Sequence, residues 1–161
     1  MHRVGQFIGH LTARVVPAEV ARSRHLLPDA AWPLFAGMPT ADRRHALDVA
    51  GRLLAAGQTD PDLLAAAMLH DVGKGHRLRL WHRVTGVLLA AVAPRALGSL
   101  ASPDTRSWRH PFHIFLHHPA ISAEAALAAG CSQRTADLIR GITEPSDALL
   151  LAALRRADEA S

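Results

Sequence analysis

The chain predicts an all-α fold, and three observations carry that prediction. Alanine and leucine dominate its 161 residues, aromatics make up 4% and tyrosine is absent, so strand-forming side chains are scarce. Apolar residues recur at helical spacing along most of the sequence. Capping residues, prolines and glycines cut that pattern into helix-length segments joined by short loops. The expected architecture is a compact single-domain bundle of about eight helices, long enough to bury a substantial core.

The elements follow in order. A first helix is expected from Arg3 to about Val15, and Pro17 suits the first turn of a second. "LLPDAAWPLFAGMPT" reads as a connector broken by Pro28, Pro33 and Pro39, with Trp32 and Phe35 as packing anchors. Thr40 is expected to cap a helix from Ala41 to about Ala56, with Gly57 as its stop. Asp60 caps the next, Pro61 opens it, and it runs to Asp71. Another spans roughly Arg79 to Ala93, and a short one follows Pro94 to Leu100. "ASPDTRSWRHP" reads as loop. A short piece from Phe112 to His117 should break at Pro119, and a separate helix runs from Ile121 to Ala129, closed by Gly130. Ser132 caps a helix to about Ile142, and Ser146 caps the last, to about Glu159.

Composition narrows the function. Cys131 is the only cysteine, which excludes a disulfide framework and a thiolate metal cluster and suits a reducing cytoplasm. The opening "MHRVGQFIGHLTARVVP" lacks the sustained apolar run of a signal peptide, and "VLLAAVA" and "ALLLAAL" are too short to span a bilayer. The expectation is a soluble cytoplasmic protein without a membrane partner. A net charge of +4 suits anionic partners, but 17 of the 18 cations are arginine, as a coding bias would produce. The single lysine, Lys74, stands beside the pair His70-Asp71.

Those two residues end the apolar run "AAAMLHDVGKGH". A buried carboxylate beside a buried imidazole is costly unless both are partnered. Two further helices carry polar groups on their inward stripes. His45 lies one turn before Val49, and Asp158 lies four residues after Leu154. Neutral imidazole and ionised carboxylate are the ligands a divalent cation takes when thiolates are absent. His45, His70, Asp71 and Asp158 on one ion would have both carboxylates compensated and the imidazole lone pairs satisfied. Neighbours in a helix diverge by about 100°, so His70 and Asp71 share an ion only where the helix frays, and Gly73 and Gly75 are expected to supply that break. Read singly, each residue has an ordinary alternative: a satisfied core histidine, or Asp158 paired with Arg155 or Arg156.

The order His45 in "RHALDVAGRLLAAG", then "LHDVGK", then Asp158 in "RRAD" resembles the HD-domain superfamily of metal-dependent phosphohydrolases. The resemblance covers about Thr40 to Asp158. It implies an HD-like helical core in residues 40–161, with residues 1–39 as a helical extension packed on it, all one structural domain. It also implies His45, His70, Asp71 and Asp158 as metal ligands and hydrolysis of a phosphate ester, a nucleotide or small phosphomonoester. "HHPAISAEAAL" is similar to a segment of the two-metal members, in which His118 would bind an additional ion. Ser122 stands where glycine is usual there, and "IRGITEP" replaces an expected "HHE", so one metal per chain is the expectation. The ion is Mn, Fe, Co, Ni, Mg or Zn.

Asp71 would orient or deprotonate the attacking water. Lys74, with His113, His117, His118 or Arg109 as further candidates, would neutralise the phosphate or protonate the leaving group. His82, beside Trp81, is expected to pack. Two alternatives stand beside the hydrolase: an inactive regulatory or scaffold protein on the same fold, and a helix-turn-helix module in which Gln133, Arg134 and Arg140 face DNA. The last leaves four inward polar residues unexplained, so nucleic acid is the disfavoured partner. A helical face with exposed leucines could pair two copies as a homodimer.

Overall fold

Several helices begin here where a side chain or a proline solves the problem of the unpaired first-turn N–H groups. Asp60 accepts from the Leu63 N–H at 3.0 Å and Ser132 accepts from Thr135 at 2.9 Å, as their sequence positions predict. The computed structural model describes residues 14–161 apart from 77 and 79. In chain order these form α1 (Pro17–Ser23), α2 (Trp32–Ala36), α3 (Thr40–Ala55), α4 (Pro61–Leu69), α5 (Leu80–Val92), α6 (Pro94–Leu100), α7 (His110–Ala128), α8 (Gln133–Arg140) and α9 (Ala148–Glu159). Single 3-10 turns stand at Arg24–Leu26, Val72–Lys74 and Pro145–Asp147, and the described residues contain no strand. None of these helices is long and apolar enough to cross a membrane. The helix expected from Arg3 falls almost wholly outside the described residues, and residues 14–16 are not helical.

α4 is the centre of the molecule. Every side chain from Leu63 to Leu69 is buried, so the helix is apolar on all faces and must be surrounded. α2, α3, α7, α8 and α9 all pack on it, and Ala65, Ala66 and Ala67 leave room for close approach. Each fully buried leucine such as Leu63 contributes about 2 kcal/mol by its removal from water. Leu27, Ala31, Phe35 and Met38 belong to the same core cluster, which ties the stretch before residue 40 to the helices after it.

Several boundaries differ from the sequence expectation. The Trp32–Phe35 connector coils into α2, opened by Pro33 and anchored by a fully buried Phe35. Thr40 is the first residue of α3 rather than its cap. Ser146 caps nothing; it lies in the 3-10 turn that leads into α9. α4 stops at Leu69, so His70 and Asp71 lie just beyond it. The largest difference is α7, one continuous helix with Pro119 inside it where two helices were expected. Proline frees the carbonyl four residues back, here that of Phe115. The His118 ring lies with Nδ1 2.9 Å from that carbonyl oxygen and donates to it, replacing the missing backbone bond.

α5 carries an outward apolar stripe of Trp81, Val84, Leu88 and Val92, with Leu88 59% exposed. His82 on the same helix is buried, its ring 3.6 Å from that of Trp81, which agrees with the expected packing role.

Arg134 joins three elements at the opposite end of the core. Its guanidinium grips Asp147 through two bonds of 2.8 and 2.7 Å and donates to Asp60 at 2.7 Å. Asp62 beside it accepts from the hydroxyls of Ser132 and Thr135 at 2.5 and 2.9 Å. Burial alone would raise the Asp62 carboxyl, but the two hydroxyls and Arg134 outweigh it and hold the group below its ordinary value of 3.8. A depressed carboxyl contributes stability above its unfolded pKa and loses it as pH falls through the folded value. The melting temperature should therefore fall on acidification below about pH 4, with a shallower acid limb in Asp62→Asn. Circular dichroism melts across pH check this; parallel acid limbs would refute it.

Candidate metal centre

The site forms where three helix ends converge. α3 supplies His45 from its second turn, the end of α4 supplies His70 and Asp71, and the last turn of α9 supplies Asp158. His45 Nε2 lies 2.8 Å from Asp158 Oδ1, and His70 Nε2 lies 3.5 Å from the same oxygen. The two imidazoles meet edge-on with centroids 5.3 Å apart. One ligand atom from each of His45, His70 and Asp158 falls within 4.8 Å of the others, a spacing that one cation can bridge. Three of the four expected ligands are thus gathered. The fourth, Asp71, sits at the edge of that set, with Oδ1 3.7 Å from His70 Nε2 and Oδ2 2.5 Å from Lys74 Nζ.

The protonation of His70 argues that these residues suit a cation. Its Nδ1 lies 2.9 Å from the Ala67 carbonyl oxygen and donates to it, so the proton is on that nitrogen. Nε2 faces Asp158 at 3.5 Å and is buried without a hydrogen-bond partner. A buried polar atom left this way costs about 1–3 kcal/mol unless something fills the position. A divalent ion would fill it, and a backbone carbonyl on the other ring nitrogen is the usual support for a metal-bound histidine.

Charge in the site is balanced by its neighbours. Burial alone would raise Asp71, which is 3% exposed, yet His70, Lys74 and His45 hold its carboxyl well below the usual range. Asp158 is likewise held low, with its burial outweighed by His45 and His70. Its side chain is 47% exposed, so the centre opens to solvent on that side. Burial would lower His70, but Asp71 and Asp158 overcome it and raise its proton affinity. His118 moves the other way, lowered by burial and by Lys74. With Nδ1 engaged by Phe115, its Nε2 faces Asp71 Oδ1 at 3.9 Å.

The close approach of α7 sets the Asp71–Lys74 corner. Asp71 leaves the helical region at φ −105°, ψ 0°, and the turn ends at Gly75 with φ +53°, a conformation that favours glycine. Gly73 serves a different purpose from the chain break expected of it. A methyl group there would meet the His118 carbonyl oxygen at 2.7 Å and the Ser122 backbone nitrogen at 2.9 Å. Its N–H donates to the Ser122 hydroxyl at 2.9 Å, and Ser122 is fully buried. The sequence marked Ser122 only as a departure from glycine. Its one-turn offset from His118 was the available sign of a role. Ser122→Ala would orphan the Gly73 N–H and should cost about 1–2 kcal/mol, read as a lower urea midpoint with an unchanged slope.

The remaining candidates are placed elsewhere. Arg109 donates to the carbonyls of Leu100, at 2.7 Å, and Ser99, closing the end of α6. His113 and His117 lie with rings tilted against each other further back on α7 and are not in the cluster. Gln133 and Arg140 both bond Asp137, and Arg134 is held by Asp60 and Asp147, so the side chains expected to face DNA are committed to carboxylates. Comparison of the chain with protein-family models, with curated proteins and with solved structures finds no match.

Proposed function

We propose that this protein is a metal-dependent phosphohydrolase with an HD-like core, acting on a nucleotide or a small phosphomonoester. The observation that carries the reading is the unpartnered Nε2 of His70, aimed into a corner that also receives His45 and Asp158. Residues 113 positions apart meet there, which no local helix preference would bring about. The ion is a divalent cation with a taste for mixed nitrogen and oxygen ligands.

When bound, such a cation supplies Lewis acidity toward a phosphoryl group and acidifies water. The chain's own groups do the rest. Asp71, kept ionised by His70 and Lys74, is an acceptor that can orient or take the proton of an attacking water. Lys74 places an ammonium at 2.5 Å from that carboxylate, where it can neutralise a phosphoryl oxygen as charge develops. His118 brings a further imidazole nitrogen, its Nε2, to 3.9 Å from that carboxylate. The exposed side of Asp158 is the approach for substrate.

Metal analysis of the purified protein should find about one divalent ion per chain. Loaded with manganese, iron, cobalt or nickel, it should release phosphate from a panel of nucleotides and phosphomonoesters. His70→Ala should remove the ion of this centre and the activity. Retained turnover in that variant refutes the centre, and bound metal without turnover on any ester favours the regulatory protein.

A further inference from the structure

His110, His113 and His117 recur at spacings of three and four on α7, which sets their side chains along one strip of that helix. The rings are neighbours in space as well. His113 and His117 have centroids 4.4 Å apart at 41°, and the His110 ring lies 5.8 Å from His113 and nearly parallel at 20°. His117 is exposed and His113 half-exposed, so both are open to solutes. Two imidazoles sharing one ion at a metal–nitrogen distance of about 2.1 Å have centroids roughly 4.6–5.3 Å apart. The His113–His117 pair already has close to that spacing.

The chemistry around the strip is nitrogen-rich. Burial, with His117 and His110 after it, lowers the proton affinity of His113, which keeps a lone pair free at neutral pH. His110 Nδ1 lies 3.2 Å from the Ser102 carbonyl oxygen and donates to it, which leaves Nε2 as the ring's acceptor. A cavity of about 350 Å³ opens beside His110, and His76 and His82 lie on its wall with Trp81 and Trp108. Five of the chain's eleven histidines therefore gather on this side of the molecule, and the described lining holds no carboxylate.

We propose that the His110–His113–His117 strip binds a divalent transition-metal ion through imidazole nitrogens, at a site separate from the His45–His70–Asp158 centre. His113 and His117 form the chelate, with the His110 ring stacked beside them. An all-imidazole set with no carboxylate prefers Cu²⁺, Ni²⁺ or Zn²⁺ and has little affinity for Mg²⁺ or Mn²⁺. The mixed carboxylate centre accepts the harder ions, so the two sites differ in metal preference as well as in place.

The experiment is calorimetric titration with Ni²⁺, which does not depend on enzymatic turnover. In the His70→Ala/Asp158→Ala background the chain should still bind about one Ni²⁺, and further substitution His113→Gln/His117→Gln should weaken that binding at least about tenfold. The same background should give no comparable binding of Mg²⁺. The pair His113→Gln/His117→Gln in the otherwise native chain supplies a second reading, expected to lose one ion equivalent. Ni²⁺ binding unchanged by the His113 and His117 substitutions overturns the proposal. So does a native-like Ni²⁺ site count that falls only with His70 and Asp158. Failure of the central pair to change Ni²⁺ binding, with loss at His113 and His117 intact, bears on the hydrolase centre alone and leaves this site standing.

Discussion

On the proposed function, Asp71→Asn should lose the ion and the phosphatase activity while keeping the volume of the wild-type side chain. The carboxylate is 3% exposed, and it balances Lys74 at 2.5 Å and His70 at 3.7 Å. An amide of the same shape supplies neither the negative charge nor a second ligand oxygen. Groups that merely support metal ligands are worth about 10–100-fold in affinity, so Asp71 as a proposed ligand should cost more than about 100-fold. Stability should fall too, because the Lys74 ammonium is left without its counter-ion in a position only 21% exposed. Breaking a fully buried pair costs about 3–5 kcal/mol. Partial access of water to Lys74 brings the expectation to about 2–3 kcal/mol. Metal analysis, phosphate release and urea unfolding read the three effects separately. A variant that keeps its metal and its turnover would remove Asp71 from the centre.

Gly73→Ala should be the most damaging single methyl addition in the molecule. Of the three nearest atoms, the His118 carbonyl oxygen at 2.7 Å and the Ser122 nitrogen at 2.9 Å are backbone and belong to one continuous helix. They cannot rotate away, so either α7 shifts or the turn carrying Asp71 and Lys74 does. The Gly73 N–H to Ser122 hydroxyl bond is lost in either case. Overpacking of this kind costs about 1–3 kcal/mol, and the lost hydrogen bond adds about 1 kcal/mol. For a domain of this size that corresponds to a melting temperature lower by about 10 °C. Metal affinity should fall with it, since the displaced corner holds Asp71. Gly51→Ala is the contrast. That glycine is exposed in α3 with nothing within 4 Å of the added methyl, so it should stabilise by about 0.5–1 kcal/mol. Equal melting temperatures for the two variants would show that the α7 contact is not the constraint.

The difference between these glycines shows where reading the sequence stops. Asp60, Pro61 and Ser132 announce helix starts because a cap and its target N–H are three residues apart. The all-apolar run through α4 announces a central helix because no face of it can meet water. The same locality made His70-Asp71 conspicuous: a polar pair closes that run where the helix must end. The sequence also misjudged Pro119 through locality. The rule that proline breaks a helix holds when the freed carbonyl has no other donor, and here the adjacent His118 ring supplies one.

Residue types, the helix starts at Asp60 and Ser132 and the chemical character of the inward polar groups were therefore determined by the sequence itself. They depend on interactions within four residues along the chain. Tertiary structure alone decided that His45 meets Asp158 across 113 positions. It also decided that Gly73 must be bare because α7 presses on it, and that Arg134 is spent on Asp60 and Asp147. Each of those outcomes is set by where distant helices cross, and that is fixed by how the whole set of side chains packs, not by any short stretch of them.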